Sequence, residues 1–221
     1  VQIGIFSVGD VTVDPATGRA PSERERIKAM LTIALKAEEV GLDVFAMGEH
    51  HNPPFVPSSP TTMLGWIAAK TERIILSTAT TLITTNDPVK IAEDYAMLQH
   101  VADGRIDLML GRGNTGPVYP WFGQDIRQGI PLAVENYALL HRLWREDVVD
   151  WEGRFRTPLQ AFTATPRPLD ARLSRRSSAS AGRCSCGRTP RTRCASSVRT
   201  STTRRCTGTG PRWRSSPSRP R

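Results

Sequence analysis

Two adjacent histidines follow the apolar run Val44–Met47, in the order Gly48-Glu49-His50-His51-Asn52. An imidazole titrates near neutrality and a neighbouring carboxylate can orient it, so this cluster suits proton transfer. The competing reading is a pair of loop histidines held by ordinary hydrogen bonds, with no chemistry. A metal would need a third protein ligand. The other histidines, His100 and His141, fall in helix-like segments away from the strand ends, so no metal site is expected. A second cluster, Gly111-Arg112-Gly113-Asn114, sets a guanidinium between two glycines after another apolar run. Glycine lets backbone approach a ligand closely, and arginine grips a phosphate with two hydrogen bonds. Here the competing reading is a solvated arginine in a turn. The cluster is not a dinucleotide fingerprint, because no G-x-G-x-x-G opens a helix.

The elements that must position these residues alternate. Ile3–Phe6 reads as a short strand, followed by a loop punctuated by Pro15, Gly18 and Pro21. Ser22 with Glu25 three residues on is a capping-box signature, Ile27 to Glu38 keep helical spacing, and Gly41 closes the helix. Val44–Met47 is a second strand, 61–69 a helix, and Ile74–Thr80 a third strand apolar enough to be buried on both faces. Pro88 opens an amphipathic helix through Leu98, and Arg105–Leu110 is a fourth strand. A long helix is expected over about 131–145, and a small turn or hairpin over Trp151–Phe155.

Four strand–helix units imply a parallel sheet with helical crossovers. A (β/α)8 barrel and a doubly wound sheet both fit. The functional-looking residues, Glu49-His50-His51, Thr80 and Arg112, all follow strand ends. In a barrel such positions converge on one mouth; in an open sheet only those at the topological switch point would meet. A barrel takes about 250 residues, so residues 1–170 are expected to hold its N-terminal half.

Four motifs in this order are similar to the bacterial luciferase-like family of flavin-dependent monooxygenases. They are Gly48–Asn52, Leu76–Thr80, the run Asn86–Asp94, and Asp103-Gly104-Arg105 through Gly111-Arg112-Gly113, with Tyr119 and Trp121-Phe122-Gly123 continuing the pattern over roughly residues 1–168. The resemblance implies a TIM-type barrel with reduced FMN at the mouth. It implies that His50 acts in the oxidative step, and that Ala79 and Thr80 pack backbone against the isoalloxazine ring, often through a non-proline cis bond. It further implies that Gly111, Arg112 and Gly113 form the phosphate grip with Arg112 at its centre, and that Glu93 lies near the site. Reduced flavin would come from a separate flavin reductase and, with dioxygen, oxidise a small organic substrate. A deazaflavin in a dehydrogenase suits the same contacts. Gly111 stands where the luciferases themselves often carry cysteine, so light emission is not implied. A homodimer is expected where the barrel is complete.

Composition divides the chain at about residue 170. Residues 1–170 hold all 21 acidic residues against 4 Lys and 12 Arg, whereas residues 171–221 hold 14 Arg and no Lys, Asp or Glu. Phe, Tyr, Met, Ile, Asn and Lys number 34 in the first segment and none in the second. The second segment therefore has little to bury, and an unstructured basic tail is expected. Its composition is that of GC-rich coding DNA translated out of frame. A cationic tail binding nucleic acid is the alternative, weakened by a single aromatic, Trp213. Cys184, Cys186, Cys194 and Cys206 lack the paired spacing of a zinc ribbon. The first 170 residues contain no cysteine, no apolar run approaches the ~18 residues of a membrane span, and strand-like sequence begins just after Val1. The expectation is a cytoplasmic protein without a secretory leader. Half a barrel would leave an unpaired strand edge, so aggregation or cleavage near residue 170 is expected.

Overall fold

The computed structural model describes residues 1–171. Residues 172–221, on which the out-of-frame, nucleic-acid and cysteine readings fall, lie outside the described residues. Four strands form one parallel sheet in the order β1 (Gly4–Ser7), β2 (Val44–Met47), β3 (Ile75–Thr78) and β5 (Ile106–Asp107), with β4 (Thr81–Leu82) and β6 (Leu110–Gly111) pairing in parallel beyond it. The connections are α1 (Glu23–Glu39), α2 (Pro60–Ala68) and α3 (Pro88–Val101); a short α4 (Val118–Trp121) and α5 (Gly129–Arg145) follow, and an antiparallel hairpin, β7 (Val149–Trp151) with β8 (Leu159–Phe162), ends the described fold. The fold is α/β with helical crossovers and a parallel sheet; the barrel is not closed among the described residues.

Local chemistry accounts for the boundaries. Ser22 accepts from the Glu25 amide while the Glu25 carboxylate takes the Ser22 amide, so two otherwise orphan donors at the start of α1 are satisfied. Asp87 caps α3 through the Val89 amide, and Pro88 occupies the first turn, where a missing N–H costs nothing. In the last turn of α1, the Glu38 carboxylate accepts from the backbone amides of Glu72, Arg73 and Ile74. Arg105 donates to the carbonyls of Ala68, Thr71 and Ile74, closing the end of α2.

One expected strand is broken. Arg105–Leu110 splits into β5, paired with β3, and β6, paired with β4. The cause is Thr78, whose hydroxyl donates to the Met109 carbonyl at 2.8 Å and accepts from the Met109 amide at 3.0 Å, replacing the ladder there. The third strand is likewise divided, with the Ala79–Thr80 peptide, which is cis, between β3 and β4. α3 runs on to Val101, and α5 starts at Gly129. Trp151–Phe155 belongs to the β7–β8 hairpin, where Glu135 accepts from the Arg154 and Phe155 amides.

The core lies between the sheet and α1, α2 and α3, with Met30, Ala34, Phe45, Met47, Leu64, Ile67, Leu76 and Tyr95 almost wholly buried. α5 packs on α3, where the Trp144 indole donates to the Ala92 carbonyl. No helix among the described residues is long and apolar enough to cross a membrane.

Candidate active site

The carboxyl ends of β2, β3–β4 and β6 meet at one end of the sheet. There the loop 48–52, the Ala79–Thr80 junction and the turn 112–115 line a cavity of about 140 Å³, closed on another side by Val118 and Tyr119 of α4. A neighbouring, wider cavity of about 600 Å³ shares His50, His51 and Asn52 as its wall and is otherwise lined by apolar residues such as Val11, Ile27, Phe55 and Val56 together with Glu23 and Ser58. Strands that run parallel must deliver their C-terminal loops to the same end, which is why residues some 60 positions apart converge.

Backbone contacts tie the walls together. The Glu49 amide donates to the Thr80 carbonyl at 3.2 Å, the His50 amide to the Pro57 carbonyl at 3.0 Å, and the Ile83 amide to the Gly111 carbonyl at 2.9 Å. Gly111 makes room for Thr80: a Cβ there would stand 2.2 Å from the Thr80 hydroxyl oxygen, so the Thr80 side chain would have to shift. Gly113 has φ +66°, the left-handed region that glycine adopts without penalty. Between them the Arg112 carbonyl accepts from the Thr84 hydroxyl at 2.6 Å and from the Tyr119 hydroxyl at 2.5 Å. The Arg112 backbone is thus fixed while its exposed side chain, lining the cavity, makes no hydrogen bond or ion pair among the described residues.

The two histidines differ. His50 is stacked on Phe55 with ring centroids 4.2 Å apart. Burial, and secondarily the neighbouring His51, push its pKa below the ordinary histidine value, against the opposing pull of Glu49. Neutral imidazole is therefore its state at pH 7. Glu49, 4% exposed, does not orient His50, as the sequence reading allowed; it holds His51, whose Nε2 lies 2.9 Å from Oε1. The same carboxylate accepts from the Leu82 amide at 2.9 Å and the Asn86 side-chain amide at 2.8 Å.

Of the site residues expected from sequence, His50, Ala79, Thr80, Arg112 and Gly113 line the cavity. Gly111 does not line it but supports its floor beneath Thr80, facing an apolar groove with Ile83 and Tyr137 instead. Glu93 is not brought to it: it sits half-buried on α3 and is absent from the cavity wall. The reason is helical phase, since Ile91, Ala92 and Tyr95 occupy the inward face of α3. Sequence reading missed Asn86 and Thr84 as supports; Asn86 lay inside a motif, yet nothing in its spacing pointed to Glu49. Among the described residues no group of three or more His, Cys, Asp or Glu side chains is placed to hold a metal ion.

Comparison with known proteins gives this geometry a family. The sequence profile of the luciferase-like monooxygenases matches residues 1–204, reaching past residue 168, where the motif resemblance stops. The chain belongs to that family. It is 30% identical over 149 residues to the F420-dependent glucose-6-phosphate dehydrogenase of Kineococcus radiotolerans, covering 62% of this chain and 43% of that one. It is 27% identical over 158 residues to the oxygenase component of the flavin-dependent trigonelline monooxygenase of Acinetobacter baylyi, covering 67% and 41%. Among solved structures, the monooxygenase RslO1 of Streptomyces bottropensis superposes with a TM-score of 0.69 at 28% identity, over 77% of this chain and 50% of that one. The chain thus spans half or less of the length of these relatives.

Proposed function

We propose that residues 1–171 supply the first four strand–helix units of a (β/α)8 barrel, and that the cavity between His50, Ala79-Thr80 and Arg112 holds the FMN of a flavin-dependent monooxygenase. The observation that carries this reading is Arg112. Its backbone is locked by Thr84 and Tyr119, while its guanidinium, at the rim of a cavity, has no partner among the described residues. An unpaired guanidinium carried on a fixed backbone fits a phosphate.

The remaining residues suit the same ligand. The junction at Ala79-Thr80, with Leu82 in the same wall, offers backbone and apolar surface to a ring system. When bound, reduced flavin supplies the electrons for oxidation by dioxygen. His50, neutral and desolvated at the wall shared by both cavities, can accept and hold a proton during that chemistry. The wider cavity beside His50 and His51, with both apolar and polar walls, would take the organic substrate. A separate flavin reductase supplies the reduced cofactor in this reading, in line with a relative that is the oxygenase component of a two-part system. Glu93 has no part in it.

A second reading replaces FMN by a deazaflavin in a dehydrogenase, favoured by the name of one relative. Titration of the chain with FMN and with a deazaflavin cofactor, read by fluorescence quenching, separates the two. Saturable binding of FMN that weakens in Arg112→Ala supports the first reading, preference for the deazaflavin the second. No saturable binding of either, with salt-sensitive binding of DNA, would replace both by the nucleic-acid alternative.

A further inference from the structure

We infer that His51, and not only His50, handles protons in this cavity, and that Glu49 is the positioning residue that fixes its tautomer. Two groups at Glu49 can act there only as donors. The Leu82 backbone N–H can only donate, and it does so to Glu49 Oε2. Asn86 directs its amide nitrogen between two oxygens, Glu49 Oε1 at 2.8 Å and the Leu82 carbonyl at 2.9 Å, so both of its protons are committed. A carboxylate receiving these bonds is an acceptor on both oxygens, and the atom of His51 that meets Oε1 must be an N–H. His51 therefore carries its proton on Nε2, and Nδ1 presents the lone pair.

Nδ1 makes no hydrogen bond among the described residues, and His51 lines both the cavity next to Arg112 and the wider one. The ring is held from the side by Phe122, centroids 4.6 Å apart. A buried carboxylate behind an imidazole stabilises the cation that forms when the free nitrogen takes a proton, the same logic by which a carboxylate orients a catalytic histidine. Lone pair, fixed orientation and buried counter-charge thus coincide in His51. His50 shares the cavity but has no such carboxylate, and burial favours its neutral form. The other ionisable groups lining the cavities that His51 lines are Glu49 and His50 of its own loop, with Arg112, Tyr119 and Glu23 from other segments. That this proton acceptor serves flavin chemistry rests on the proposed function; the tautomer does not.

The test uses the full chain labelled with 15N in histidine, examined by long-range proton–nitrogen correlation spectra without ligand. The expected result is a neutral ring with a protonated Nε2 and a bare Nδ1 in His51. Glu49→Gln, which replaces one acceptor oxygen by a donor, should shift the ε-to-δ ratio of His51 by roughly tenfold or more, and Glu49→Asp should restore it in part. A purely structural role for Glu49 would leave the tautomer unchanged in Glu49→Gln. If wild-type His51 carries its proton on Nδ1, the inference fails, whether or not either variant folds. Added FMN should then move the Nδ1 resonance of the wild type and leave Nε2 in place. FMN that binds without touching Nδ1 removes the proton-handling role, whereas FMN that does not bind at all removes the cofactor reading and leaves the tautomer standing.

Discussion

β1 and β2 are neighbours in register, Ile5 opposite Phe45 and Phe6 opposite Ala46, and each carries large apolar side chains. Their fates differ. Phe45 and Met47 are wholly buried, while Ile3, Ile5 and Phe6 remain 62%, 38% and 48% exposed. β2 is flanked by β1 and β3, with α1 against it, whereas β1 has a strand on one edge only among the described residues. An apolar strand is a capacity for burial, and only neighbours realise it. α5 shows the same contrast on one helix: Leu132, Leu139, Leu140 and Leu143 are buried, yet Ile130, Val134 and Tyr137 are exposed on another face.

Paired truncations sharpen that contrast. Phe45→Ala should destabilise the fold by about 3–5 kcal/mol through a cavity in the core. Phe6→Ala should cost well under that, about 1 kcal/mol or less, because half its surface is already wet. Chemical denaturation of both variants measures the difference. Equal losses would show that the β1 face is covered in solution. Between these extremes lies the site. Arg112→Ala should weaken FMN binding tenfold or more, about 1.5–3 kcal/mol for a charge-assisted pair, while the denaturation midpoint barely moves. A large stability loss instead would make Arg112 part of the scaffold.

Ser22→Ala tests a boundary remote from both regions. Losing the α1 cap should cost about 1 kcal/mol, visible as a modest fall in Tm. The smallest effect is that of pH. The folded-state pKa of His50 is lowered, so its unfolded form binds the proton first. The stability it contributes is present above the ordinary histidine value near 6.5, and is lost as pH falls through the lowered value. Acidifying from pH 7.5 to 5.5 should therefore lower the denaturation midpoint less in His50→Gln than in the wild type; identical slopes would show that His50 is not desolvated.

Much of this molecule was legible along the chain. The Ser22/Glu25 box, Gly41 and Pro88 marked helix limits because capping and backbone constraints act within a few residues. The clusters at 48–52 and 111–114 were placed after strands by hydrophobic periodicity, and they do converge. The interruption of the strand over 105–110 was not legible, because it depends on one hydroxyl, that of Thr78, arriving from 31 positions away. Nor was the phase of Glu93, which a run of mixed small and apolar residues on α3 left ambiguous.

By itself the sequence determined the kinds of element, their order, and that the histidine pair and Arg112 follow strand ends, since propensity, capping and spacing are local properties. Tertiary structure alone decided which histidine the Glu49 carboxylate holds, that Gly111 yields its space to Thr80, and that β1 stays half-exposed. Glu49 is aimed at its neighbour His51 by Leu82 and Asn86, more than 30 residues away, and the other two depend likewise on contacts between distant segments, where hydrogen-bond geometry and steric contact choose the partner.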